Sequence, residues 1–83
     1  MLKFKKNKLV ECTEEEFKFL ERIVERSSCM ASAASQIRTY LLRGDLKWNE
    51  PKGYYSTNLV SEIALNAAMA VKYKYKYLKV TKG

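Results

Sequence analysis

The stretch that most constrains the fold is residues 9–44, LVECTEEEFKFLERIVERSSCMASAASQIRTYLLRG, which carries the start and stop signals of two consecutive helices. Thr13 is an N-cap residue and Glu16 stands three positions later, the spacing of a capping box ahead of an apolar run. Glu14, Glu15 and Glu16 fill the first turn, where negative charge suits the positive end of the helix dipole. Phe17, Leu20, Ile23 and Val24 then fall on one helical stripe that runs to about Arg26. Ser27-Ser28 breaks the pattern. A second stripe follows at Met30, Ala33, Ala34, Ile37, Tyr40 and Leu41, and Gly44 stands where a left-handed C-terminal cap belongs. The small residues that open this second helix, Ala31 to Ser35, predict a close helix crossing.

The flanks read differently. Residues 2–12 alternate imperfectly, with Leu2, Phe4, Lys6, Lys8, Val10 and Cys12 in one set and Lys3, Lys5, Asn7, Leu9 and Glu11 in the other. One continuous strand fits, and so do two short strands turning near Lys6-Asn7. Such a strand needs a partner, either the C-terminal strand or another copy of itself. Residues 44–57 form a loop punctuated by Pro51 and Gly53, whose aromatics Trp48, Tyr54 and Tyr55 either pack the loop onto the core or offer a stacking patch to a partner. A third helix starts at Ser56 or Thr57 and runs to about Val71, with Leu59, Val60, Ile63, Ala64, Ala67, Ala70 and Val71 on its apolar stripe. The last stretch, VKYKYKYLKV, alternates as a strand would, placing Tyr73, Tyr75 and Tyr77 opposite Lys72, Lys74 and Lys76. The expected architecture is therefore α+β in one small domain over 1–83. Residues 1–44 supply a strand and the helical hairpin, and 45–83 supply a loop, a third helix and a C-terminal strand. A chain of this size has a marginal core, which favours a homodimer.

Composition narrows the chemistry. Histidine is absent from the 83 residues, which removes the imidazole base, the Ser-His and Cys-His nucleophiles and any histidine-containing zinc site. The two cysteines, Cys12 and Cys29, lack CxxC spacing, and three glycines make no phosphate-cradling loop. The expectation is a protein that is not an enzyme, with no cofactor and no metal. No apolar run approaches the ~20 residues of a membrane span. With no secretory signal in view, the thiols fit a reducing, cytoplasmic compartment as small buried hydrophobes.

The net charge of +7 is unevenly placed. Residues 1–8 hold four lysines and residues 72–83 five, while the middle of the chain holds nine acids against seven bases. Basic ends on a nearly neutral body are the footprint of a polyanion-binding surface. The simpler reading of the same lysines is protection of exposed strand edges from aggregation. Lysines and tyrosines interleaved on one strand can neutralise phosphates and stack bases; as a plain edge strand they place tyrosine on the core and lysine in water.

Val10-Glu11-Cys12-Thr13-Glu14-Glu15-Glu16-Phe17, with Leu20, Ile23 and Ile37-Arg38 through Leu41-Leu42-Arg43-Gly44, resembles the ribbon-helix-helix DNA-binding proteins. In that family two chains pair their strands into a ribbon that enters the major groove, while the helices interlock as the dimer core. The resemblance implies a groove-facing strand surface carrying Lys3, Lys5 and Asn7. It also implies a second helix whose start, around Ser32, approaches phosphate.

Two functions follow as expectations. The first is a basic, non-enzymatic regulator that binds nucleic acid, in particular DNA, through Lys3, Lys5, Asn7, Lys72, Lys74 and Lys76. The second is a protein–protein inhibitor of the kind that blocks a host or defence factor. It would use Trp48, Tyr54, Tyr55, Tyr73, Tyr75 and Tyr77 as its hot spot and set its lysines against an acidic protein surface.

Overall fold

In the computed structural model, which describes residues 1–73 and 79–81, the capping signals act as the sequence predicts. Helix α1 spans Glu14–Arg26. The Thr13 hydroxyl accepts from the Glu16 N–H at 3.2 Å, and the Glu16 carboxylate accepts from the Thr13 N–H at 2.9 Å. Ser27 closes the helix by donating its hydroxyl to the Ile23 carbonyl. Helix α2 spans Met30–Arg43, and Gly44 ends it at φ 83°, its N–H reaching the carbonyls of Leu41 and Tyr40. Helix α3 spans Thr57–Tyr73.

The N-terminal stretch resolves its ambiguity in favour of two strands, β1 at Lys3–Lys5 and β2 at Lys8–Thr13. Lys6 and Asn7 form the turn between them with φ of 52° and 63°. Positive φ at both central residues is the primed turn whose twist matches antiparallel strands. The register pairs Lys5 with Lys8, Phe4 with Leu9 and Lys3 with Glu11, so Val10 is an extra residue on β2. This bulge explains the imperfect alternation. One inserted residue flips the parity of the strand, which lets Leu9 and Cys12, three apart, both point into the core.

A third strand, β3 at Lys79–Thr81, lies parallel to β2 and pairs Glu11 with Lys79, Cys12 with Val80 and Thr13 with Thr81. The strand order is β1-β2-β3, with β2 in the middle. The N- and C-terminal strands thus pair within one chain, and the three helices form the crossover that a parallel pair requires. The expected strand over 72–80 is shorter than its alternation suggests. Lys72 and Tyr73 belong to the last turn of α3, while Lys74, Tyr75, Lys76 and Tyr77 lie outside the described residues. Helix continuation wins at Lys72-Tyr73 because Val71 is still anchored in the core, 5% exposed.

The core is one cluster. Leu2, Leu9 and Cys12 from the sheet meet Leu20 and Ile23 of α1, Ala33, Ile37 and Leu41 of α2, and the buried stripe of α3. Of Ala31 to Ser35, where the sequence predicts a close crossing, Ala33 alone is fully buried. Ala33 on α2 and Ala64, Ala67 and Ala68 on α3 are all buried, and α2 against α3 is the most extensive contact between elements. A Cα radius of gyration of 11.5 Å matches the ~12 Å expected of a single compact domain this long. The loop after α2 folds back along β1. Leu2 exchanges backbone hydrogen bonds with Lys47 and Asn49, and the Asn49 side-chain amide both accepts from the Phe4 N–H and donates to the Phe4 carbonyl.

Candidate nucleic-acid interface

The sheet has two chemically opposite faces. Along β1 the burial alternates, so Leu2 and Phe4 point inward and Lys3 and Lys5 point to solvent. On β2 the outward residues are Lys8, opposite Lys5, and Glu11, opposite Lys3. On β3 Lys79 continues the same row beyond Glu11 and is exposed. The outer face therefore holds Lys3, Lys5, Lys8 and Lys79 around one carboxylate, with the bulged Val10 among them.

Two features of this face work against the stability of an isolated protein. Lys5 and Lys8 stand directly opposite each other, a like-charge cross-strand pair that is locally unfavourable. Lys6 sits in the left-handed region, which costs a non-glycine side chain of this kind on the order of 1 kcal/mol.

The predicted residues divide. Lys3 and Lys5 lie on the outer face as expected. Asn7 does not: it turns inward from the hairpin tip and donates its side-chain amide to the Glu62 carboxylate of α3 at 2.8 Å. It pins the hairpin to the helical body. Lys72 stands at the other end of α3, bordering a shallow cleft with Glu21 and Glu25 of α1. Lys74 and Lys76 lie outside the described residues. Sequence reasoning missed Lys8 and Lys79 as members of the face. A reading of the Lys6-Asn7 turn would have moved Lys8 to the side of Lys5, whereas only the long-range β2–β3 pairing reveals Lys79.

The aromatic residues fall in different settings. Trp48 is buried at 6% exposure, packed edge-on between Phe4 and Tyr55 at centroid distances of 6.3 and 5.5 Å. Its indole N–H has no hydrogen-bond partner among the described residues. Tyr55 is half-buried against it, so this pair holds the loop on the core. Tyr54 is 97% exposed and Tyr73 64% exposed. Tyr54 lies in the loop before α3 and Tyr73 is the last residue of that 17-residue helix, which is about 25 Å long. Tyr75 and Tyr77 lie outside the described residues. The described tyrosines and Trp48 do not form one patch.

Both thiols are free, in contrasting settings. Burial, with a smaller contribution from the Glu16 carboxylate, pushes the Cys12 thiol up to about 11. Cys29 is exposed ahead of α2, where the backbone N–H of Ser32, helped by the Ser28 side chain and the Ala31 N–H, holds its pKa below the ordinary value. No cluster of three or more metal-ligating side chains occurs among the described residues. Among them, too, no helix is long and apolar enough to cross a membrane.

A scan of the chain against protein-family models found no match, and searches of curated proteins and of solved structures found none either.

Proposed function

We propose that the outer face of the sheet binds duplex DNA and that the protein is a non-enzymatic, cytoplasmic DNA-binding regulator. The observation that carries this reading is the convergence of Lys3, Lys5, Lys8 and Lys79 on one solvent-exposed face, drawn from chain segments far apart in sequence. A strained lysine at the hairpin tip supports it. Lysines held ~3.3 Å per residue along two strands present cations at the scale of neighbouring phosphates. The resemblance to ribbon-helix-helix proteins points to the same surface. Their two-chain ribbon is not needed here, because β2 already has a partner of the same chain on each side. Pairing of two copies on one duplex is an addition to the proposal, tested by sedimentation of the complex.

The test is fluorescence anisotropy of a labelled random-sequence duplex titrated with the full chain between about 50 and 200 mM salt. Four phosphate contacts predict a slope of log K on log salt of about −3.6, a loss of about 100-fold over that range. Replacing Lys3, Lys5, Lys8 and Lys79 together by glutamine removes that slope. Absence of binding at the low-salt end overturns the proposal and leaves an acidic protein surface as the partner to pursue.

A further inference from the structure

One carboxylate occupies the middle of the basic face, and it is differently placed from the other acids near the sheet. Glu16 is engaged in the capping box, one of its oxygens accepting from both the Thr13 N–H and the terminal ammonium of Met1. Glu62 accepts from Asn7. Glu11 projects outward from the central strand, opposite Lys3 on one side and Lys79 on the other. The nearest Lys3 contact is 3.9 Å, a loose ion pair beyond hydrogen-bond length, and 27% of the Glu11 side chain remains exposed. Among the described residues nothing donates a hydrogen bond to it. Its oxygens are acceptor-only at neutral pH.

A phosphate cannot settle on that spot, because two anions would meet there. The centre of the face must instead meet a hydrogen-bond donor, while the lysines around it take the flanking phosphates. In duplex DNA the donors on the major-groove floor are the exocyclic amino groups of cytosine and adenine. Adenine sets its N7 acceptor beside the amino group, where it opposes a carboxylate. Cytosine presents N4–H₂ without an acceptor neighbour on the same base. Resting on the DNA-binding reading above, we infer that Glu11 is the specificity-determining residue of the face and selects a cytosine by accepting from its N4 amino group.

The experiment is affinity selection from a random duplex library with the full chain, as wild type, Glu11→Gln, Glu11→Ala and Lys3→Gln, each confirmed folded by circular dichroism. The wild type enriches sites with one fixed cytosine. Glu11→Gln, now donor and acceptor, moves that position toward adenine, and Glu11→Ala erases the preference while binding unselected duplex several-fold more tightly. Lys3→Gln weakens all duplexes and keeps the cytosine. Equal tightening on every sequence by Glu11→Ala, with the preference unmoved, overturns the inference and leaves Glu11 as a counter-charge. A wild-type pool without a fixed cytosine overturns it as well. If no duplex binds any of the proteins at low salt, the DNA-binding reading itself falls, and that outcome is distinct from the other two.

Discussion

The two faces of the three-stranded sheet share a backbone and obey different rules. On the inner face Leu2, Leu9 and Cys12 are all but excluded from solvent and are held by the helices. On the outer face the lysines are exposed, Lys5 and Lys8 repel one another, and among the described residues Lys3 alone of them forms an ion pair, a loose one with Glu11. Packing specifies the inner face, because a methylene lost there leaves a cavity. The outer face carries local stability costs with no packing return, the pattern expected where a surface serves a partner.

That contrast can be broken from the inside first. Leu9→Ala truncates a side chain 4% exposed and is expected to cost about 2–5 kcal/mol in urea unfolding. A loss under about 1 kcal/mol would show the inner face to be loosely packed. The next effect is one of pH. Cys12 has its folded pKa raised from 9.0 to about 11, so the neutral thiol is the form the fold favours. Its contribution is fully present below the unfolded value of 9.0, where the thiol is neutral in both states. It is lost as pH rises toward about 11, because the unfolded chain ionises first. A loss of about 2–3 kcal/mol over that window is expected, since each tenfold difference in thiol acidity between the folded and unfolded chain is worth about 1.4 kcal/mol. Subtracting the curve of Cys12→Ala isolates it from lysine and tyrosine titration, and parallel curves would contradict the burial argument.

The outer face responds more weakly, and in the opposite direction. Lys6→Asn places a residue that tolerates left-handed backbone at the turn, and thermal unfolding should register a gain of about 0.5–1 kcal/mol. The same change should lower DNA affinity, since it removes a cation from the tip. Smallest of all, Lys3→Gln should alter stability by no more than about 0.5 kcal/mol, because its pair with Glu11 is exposed and loose. A larger loss would mean that the face is structural.

Local signals in the sequence carried the helices almost completely. Thr13, Glu16 and Gly44 act through neighbours three or four residues away, so their geometry is written in short segments. The α+β class followed from those helices and the flanking alternation. What escaped depends on distant contacts or on one inserted residue. The Val10 bulge reverses parity without any compositional mark. Trp48 could be read either as packing its loop onto the core or as a partner anchor, and its docking against Phe4 and Tyr55 settles that choice for the core. Asn7 fitted a basic face by spacing, yet the turn aims it at Glu62. The candidate interface was half legible for the same reason: Lys3 and Lys5 follow from strand parity, whereas Lys79 needs the partner strand in place.

The β2–β3 pairing also governs time. The Thr81 hydroxyl meets the Cys12 carbonyl across 69 residues of chain, while the β1–β2 hairpin and the helix caps close within a few. Closing so long a loop is rewarded only after the helices have shortened the path between its ends. The outer face is therefore the last part of the molecule to be completed. A ribosome-bound chain that has not yet released Lys79 displays the hairpin with β2 unpaired on one side, and the lysine row of the outer face is completed only when β3 docks.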